Sequence, residues 1–305
     1  MGHDHSHHGH HHAKPNYSTA FAVGIALNLG FVAVEAAYGF VSHSLSLLAD
    51  AGHNLSDVAG LVLGWIAIQL SRRKPSPRLT YGLKSSSILA ALANGLLLLI
   101  GVGAMSWEAI RRFSKPEAVE EKTVIVVATI GIAVNVGTAL MFLSGRKGDL
   151  NVRGAFLHMA ADAMVSLGVV VGAVVIGYTQ WVWIDPMLTL VIAFVITIGA
   201  WDLLRQSLRL AMQAVPEGTD PVAVKRYLES LPDVVSVHDL HIWGMSTSEA
   251  ALTAHIVRRC LIENTDFLQQ ATKELHDRFH IEHVTIQVEE EIPNRVCAQE
   301  PDEVV

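Results

Sequence analysis

Runs of about twenty mostly apolar residues, the length a helix needs to cross a hydrocarbon layer, fill the first two-thirds of the chain at roughly 18–40, 47–70, 87–110, 122–144, 154–177 and 186–204. No other feature constrains the fold as strongly. Backbone polar groups in lipid must be satisfied within each segment, so such runs are expected to be helices. Of 305 residues 51% are hydrophobic and only 17% charged, too apolar for an ordinary soluble domain. The expected architecture is therefore an α-helical membrane protein with a six-transmembrane-helix bundle. After Leu204 the pattern changes. From Val222 to about Glu291 charged residues return and apolar runs shorten, as in a small soluble domain.

The opening MGHDHSHHGHHHAKPN is polar and histidine-rich, unlike a cleaved signal peptide. The short loops SRRKPSPR and GRKGDLNVR, after the second and fourth spans, are basic and are expected on the cytoplasmic side. In the loop after the third span, Arg111, Arg112, Lys115 and Lys122 stand against Glu117, Glu120 and Glu121, which blurs the pattern, whereas YTQWVWID after the fifth has no basic residue. Both termini are then cytoplasmic. Cys260 and Cys297 are too few and too isolated for a disulfide framework. A formal charge of -7 without a basic stripe in the soluble part argues against nucleic acid.

Ionisable groups inside spans cost at least ~2.5 kcal/mol each and usually face a partner or a wet cavity. The second span nevertheless carries ADAGHNLSDV, in which His53 and Asp57 lie four apart and share a helix face. AFLHMAADAMVSLG repeats the spacing in the fifth span with His158 and Asp162. Two imidazoles and two carboxylates make a four-ligand set suited to tetrahedral Zn²⁺. Small residues beside both pairs, Ala51, Gly52 and Gly60 on one and Ala160, Ala161 and Ala163 on the other, permit the close helix approach a shared ion needs. Asp50 and Asn54 extend the polar stripe of the second span. Asn28, Glu35 and Asn135 could support the ligands from the first and fourth spans or cement helix packing.

The tail histidines His3, His5, His7, His8, His10, His11 and His12, broken by Asp4, Ser6 and Gly9, read as a natural low-complexity metal collector. In the soluble part a helix near 222–231, strands near 234–243 and 250–257, a helix near 265–279 and a strand near 284–289 give the order αββαβ, a small open sheet backed by helices.

ADAGHNLSDV, LNVRGAFLHMAADAMVSLGV, VHDLHIW and HVTIQVE together resemble the cation diffusion facilitator family, most closely its bacterial zinc-exporting CzcD/ZitB branch. The resemblance covers nearly the whole chain. It implies a homodimer in the inner (plasma) membrane that exports Zn²⁺, and also Cd²⁺ or Co²⁺, in exchange for H⁺ by alternating access. It also implies a ferredoxin-like, metallochaperone-like cytoplasmic α+β domain. The division is then a tail at 1–16, a transmembrane domain at 17–210, a metal-binding and dimerisation domain at 211–291 and a second tail at 292–305.

By the same resemblance His53, Asp57, His158 and Asp162 form the transport site. His238, His255 and Glu289 are the implied ligands of the cytoplasmic domain, where Zn²⁺ would be regulatory. Strand alternation puts His238 in phase with apolar Leu240 and Ile242 but His241 in phase with Asp239, so either histidine could serve. The chain departs from relatives in three places. Gln287 replaces a histidine that would support a two-metal cluster. SRRKPSPRLTYG lacks the Asp or His of a loop metal site. RQSLRLAMQAVPE lacks an acid before Glu217, which predicts a weaker charge latch opposite Lys84.

The rival to transport is a membrane-embedded zinc metalloenzyme using the same four ligands. Catalytic zinc usually keeps a position open. Here four ligands close the shell and no further base or nucleophile accompanies them, so an enzyme is not expected.

Overall fold

A computed structural model describes residues 17–41, 45–114, 121–179, 181, 183–259 and 264–291. The histidine-rich tail, Cys260, Cys297 and the C-terminal tail lie outside the described residues. Six long helices come first: α1 (Ser18–Val41), α2 (Leu45–Ser71), α3 (Ser86–Ser114), α4 (Glu121–Phe142), α5 (Leu150–Thr179) and α6 (Ile184–Ala211). Stretches of α1, α3, α5 and α6 are long and apolar enough to cross a membrane among the described residues, and α2 and α4 contribute shorter apolar runs, Asp57–Ser71 and Val126–Phe142. Ile100, Leu140, Phe194 and Ile198 are exposed. An apolar surface of that kind suits lipid and would be a liability in water.

The bundle is closed by small residues and a few aromatic plugs. Ala139, Ala155 and Val152 pack with Phe21, Leu61, Phe142 and Met159 in one cluster, where the Phe21 and Phe142 rings meet at 4.7 Å. Ala161 and Ala193 join Val102 and Ile196 in a second, and Ala200 joins Leu98 and Leu203 in a third. Lipid supplies no hydrophobic drive for helix association, so close backbone approach at alanine and glycine takes its place. Arg153 of α5 and Asp202 of α6 add an ion pair between neighbours.

The remaining elements are α7 (Pro221–Glu229), β1 (Val234–Gly244), β2 (Ala250–Arg258), α8 (Asn264–Phe279) and β3 (Ile281–Glu290), in the αββαβ order. The helix α7 starts where expected, with Pro221 in the first turn and the Asp220 carboxylate accepting from the Val222 backbone N–H. The sheet order is β1-β2-β3, antiparallel between β1 and β2 and parallel between β2 and β3. A parallel pair needs a crossover, and α8 supplies it. Val224 and Leu228 of α7 and Phe267 and Leu275 of α8 bury one sheet face, through Val237, Ile242, Leu252, Ala254 and Ile256.

The opposite face depends on an irregularity in β1. His238 pairs with His255 and His241 with Thr253, so Asp239 and Leu240 stand against a single residue of β2. Asp239 takes φ of +49°, a left-handed backbone unusual for a strand residue. The bulge advances the phase by one residue. His238 and His241 therefore share one face, where uninterrupted alternation puts them on opposite faces.

The two parts of the chain meet at the β1–β2 connection. Lys84, just before α3, is ion-paired with Glu249, and the Thr247 backbone N–H donates to Ser87 Oγ at 3.2 Å. The Asn151 amide, at the start of α5, donates to the Ser87 carbonyl at 3.0 Å and to Thr247 Oγ1 at 3.4 Å. The weak latch expected from the missing acid before Glu217 is thus corrected: Lys84 has its carboxylate, drawn from a hairpin 165 residues away.

Candidate metal centres

Inside the bundle, α2 brings Asp57 and α5 brings His158 to one buried crossing. Asp57 Oδ1 lies 3.5 Å from His158 Nδ1, with the side chains 11% and 8% exposed. The other ring nitrogen is held as well, since Asn94 Oδ1 of α3 lies 3.0 Å from His158 Nε2. An amide oxygen can only accept, so Nε2 is the donor in this contact and Nδ1 is the nitrogen that faces Asp57. Space for this contact is made by two glycines. A Cβ at Gly154 would stand 2.3 Å from Asn94 Nδ2, and one at Gly60 would stand 3.1 Å from both Asn94 Oδ1 and His158 Nε2.

Asp162 follows one turn along α5 and is half-buried. His53 lies one turn before Asp57 in α2, but its side chain, like that of Asp50, is outside the described residues. Of the supporting residues expected from α1 and α4, Glu35 accepts from Asn54 Nδ2 at 2.9 Å, which sets a fully buried carboxylate against the polar stripe of α2. Asn28 donates to the Gly24 carbonyl at 2.9 Å, and contacts Thr138 Oγ1 at 3.3 Å and Met159 Sδ at 3.5 Å. That ties α1 to α4 and α5, a packing role. Asn135 is buried in α4. Asn94 escaped the sequence reading because a single asparagine in an apolar helix carries no spacing that marks it.

On the sheet, ligand atoms of His238, His255 and Glu289 all lie within 4.8 Å of one another. Ligands around Zn²⁺ at about 2.0–2.1 Å stand about 3.4 Å apart in a tetrahedron, so a small side-chain closure would complete three coordination bonds. His255 Nδ1 is 2.9 Å from Glu289 Oε1, and the His238 and His255 ring centres are 5.2 Å apart. His238 is 4% exposed, yet neither of its ring nitrogens has a hydrogen-bond partner. Glu289 Oε1 is 3.9 Å from its Nε2, beyond hydrogen-bond reach. Buried polar atoms are almost always satisfied, and two imidazoles with a carboxylate form a donor set that could hold a divalent cation. His241 stands apart, more exposed and bonded to Asp239 at 2.8 Å. Asp239 Oδ2 in turn lies 3.6 Å from His255 Nε2. Gln287 donates to Glu289 Oε1 at 3.0 Å and so orients a ligand.

Comparison with known proteins agrees across both parts. Residues 21–210 match the cation efflux transmembrane domain, and residues 216–291 match the cytoplasmic domain of cation efflux proteins. The cadmium, cobalt and zinc/H(+)-K(+) antiporter of Bacillus velezensis is 34% identical over 287 residues, 92% of this chain and 91% of the relative. The metal cation efflux system protein CzcD of Cupriavidus metallidurans is 34% identical over 94% of this chain and 90% of its own length. The zinc transporter ZitB of Escherichia coli is 34% identical over 95% and 93%. Among solved structures, the metal-bound C-terminal domain of the CzcD transporter from the same Cupriavidus species is 38% identical over 23% of this chain and 99% of that one, with a TM-score of 0.22.

Proposed function

The chain belongs to the cation efflux family, a multi-pass membrane transporter of divalent metal cations and not an enzyme, and we propose that it exports Zn²⁺ from the cytoplasm in exchange for protons. The observation that carries this reading is the buried meeting of Asp57 and His158, one carboxylate and one imidazole from the two helices that repeat the His-x-x-x-Asp spacing. His53 and Asp162 complete the set in this proposal. Cd²⁺ and Co²⁺, which share the preference for mixed nitrogen and oxygen ligands, are secondary cargo.

Proton coupling follows from ligand chemistry. A cation takes the lone pair of neutral imidazole and the charge of ionised carboxylate, so its arrival displaces protons and its departure lets them return. The emptied site, once it faces a more acidic exterior, takes back the protons that the cation displaced. Asn94 supports His158 in this exchange by holding Nε2 and leaving Nδ1 to carry either the proton or the metal. Alternating access then moves one competition between two sides of the membrane.

In the same proposal the protein is a homodimer of a bacterial inner membrane, with six spans and both termini in the cytoplasm. Residues 1–16 form a metal-collecting tail, 17–210 the transmembrane domain, 211–291 the dimerisation and metal-binding domain and 292–305 a second tail. His238, His255 and Glu289 hold a regulatory Zn²⁺.

Purified protein in proteoliposomes tests the function. Zn²⁺ is expected to accumulate in vesicles with an acidic lumen, and a proton ionophore should stop it. Flux indifferent to the pH gradient would remove the antiport, and absence of flux for every divalent cation would remove the reading itself.

A further inference from the structure

Between the bundle and the sheet domain lies a cavity of about 610 Å³, bounded by the α4–α5 turn, the facing ends of α5 and α6, the segment 215–219 and the tip of the β1–β2 hairpin. Its charged groups are unevenly partnered. Arg153 is ion-paired with Asp202, and Glu249 with Lys84. Asp149 caps α5 by accepting from the backbone N–H groups of Asn151 and Val152. Burial pushes its carboxyl above the ordinary range. Three further cations, Arg146, Lys147 and Arg209, line the same space against one further acid, Glu217. None of the three cations makes an ion pair with any described residue, so the cavity keeps a cationic excess.

The cations have an apolar counterpart. The Arg146 guanidinium lies 4.4 Å over the Phe156 ring, and Leu150, Leu157 and Leu210 extend that wall. Close by, Leu208 of α6 is 49% and Met212, just past the helix, 74% exposed, an apolar surface beside the cavity. A cavity with a cationic side and an apolar side, at the end of the apolar helices, matches a ligand that joins a phosphate to hydrocarbon. Guanidinium groups match phosphate oxygens with paired N–H donors, and basic pockets at the cytoplasmic ends of spans are suited to anionic headgroups.

We infer that this cavity is a phosphate-binding site, with Arg146, Lys147 and Arg209 as its cationic contacts and the headgroup of an anionic phospholipid as its occupant. Free inorganic phosphate shares the anionic chemistry but would leave the Phe156 wall unused. A bound headgroup held by the α4–α5 turn and α6 lies in a cavity that the sheet domain also lines, at a place separate from both metal centres.

The test uses the full-length protein, delipidated in a neutral detergent and titrated separately with phosphatidylglycerol, phosphatidylcholine and inorganic phosphate. Bound adducts are counted by native mass spectrometry and thermal midpoints are recorded. Phosphatidylglycerol is expected to bind saturably, at least about tenfold more tightly than phosphatidylcholine. The triple variant Arg146→Gln, Lys147→Gln, Arg209→Gln should lose that preference, while Arg205→Gln, an exposed arginine of α6 outside the cavity, should keep it. The single variant Lys147→Gln, at an exposed position in a turn, should show a partial loss and guards against misfolding of the triple. If inorganic phosphate raises the midpoint and displaces phosphatidylglycerol, the site stands with a soluble occupant; if it does neither, the occupant is lipid. Equal binding of the two lipids without any effect of phosphate, or full retention of phosphatidylglycerol by the triple variant, would overturn the proposal.

Discussion

Asn94 Oδ1 and His158 Nε2 lie 3.0 Å apart at the buried crossing of α3 and α5, so the imidazole presents its other nitrogen to Asp57. One contact fixes both the tautomer and the direction of a candidate ligand. The consequences can be measured.

Replacing Asn94 by Ala leaves the ring free to rotate and to carry its proton on either nitrogen. Loss of such a supporting partner typically costs about ten- to a hundredfold in metal affinity. Zn²⁺ binding should fall in that range, and its dependence on pH should shift because Nδ1 is no longer kept for the metal. Isothermal titration at several pH values reads both, and a drop in affinity with an unmoved pH profile would assign Asn94 to packing alone.

Asp57→Ala removes one partner from a pair that is about nine-tenths buried. A ligand matters at least as much as the partner that orients it, whose loss costs about ten- to a hundredfold, so Zn²⁺ affinity should fall at least about a hundredfold, and flux in proteoliposomes should be lost while the variant still inserts and elutes like the wild type. Near-normal flux would remove Asp57 from the site.

His255→Ala tests the sheet centre. A cation at a hundred times its dissociation constant stabilises the state that binds it by about 2.7 kcal/mol. Saturating Zn²⁺ should therefore raise the wild-type thermal midpoint, and a chelator should reverse the rise. In the variant both responses should be absent, with flux through the bundle at saturating Zn²⁺ largely retained. An unchanged metal-dependent midpoint would exclude His255 as a ligand.

Asp149→Asn gives a pH signature. Burial raises the folded pKa of Asp149 above its ordinary value of 3.8. The folded state then holds its proton more tightly than the unfolded chain does, so wild-type stability falls as pH climbs from about that value through the raised one. Asparagine keeps an oxygen for the Asn151 and Val152 N–H groups and has no charge to bury. The variant should match the wild type in acid and exceed its thermal midpoint near neutral pH. A midpoint below the wild type at neutral pH would contradict the sign.

The helical runs and the doubled His-x-x-x-Asp spacing were legible because each is periodic: a helix stamps its repeat on the sequence, and two copies of a costly polar pattern reinforce each other. Asn94 has no such repeat, and its meaning comes from where α3 crosses α5. The bulge at Asp239 was hidden for a different reason. VHDLHIW breaks its alternation at His238 and Asp239, but only the pairing with β2 reveals that one extra residue turns His238 and His241 to the same side. The Lys84–Glu249 pair joins positions too distant for any local pattern to connect.

The triangle of Ser87, Asn151 and Thr247 works as a gauge of helix position. It fastens the first turns of α3 and α5 to one hairpin, through the Asn151 amide at 3.0 Å from the Ser87 carbonyl and the Thr247 N–H at 3.2 Å from Ser87 Oγ. Axial slip of α5 past α3 by a single residue is about 1.5 Å, more than a hydrogen bond tolerates. Any larger stroke of these helices must break the triangle, whose hairpin runs straight into β2 and His255. Linked equilibria are reciprocal: to whatever extent Zn²⁺ on the sheet restrains the stroke, the stroke loosens Zn²⁺ by the same factor.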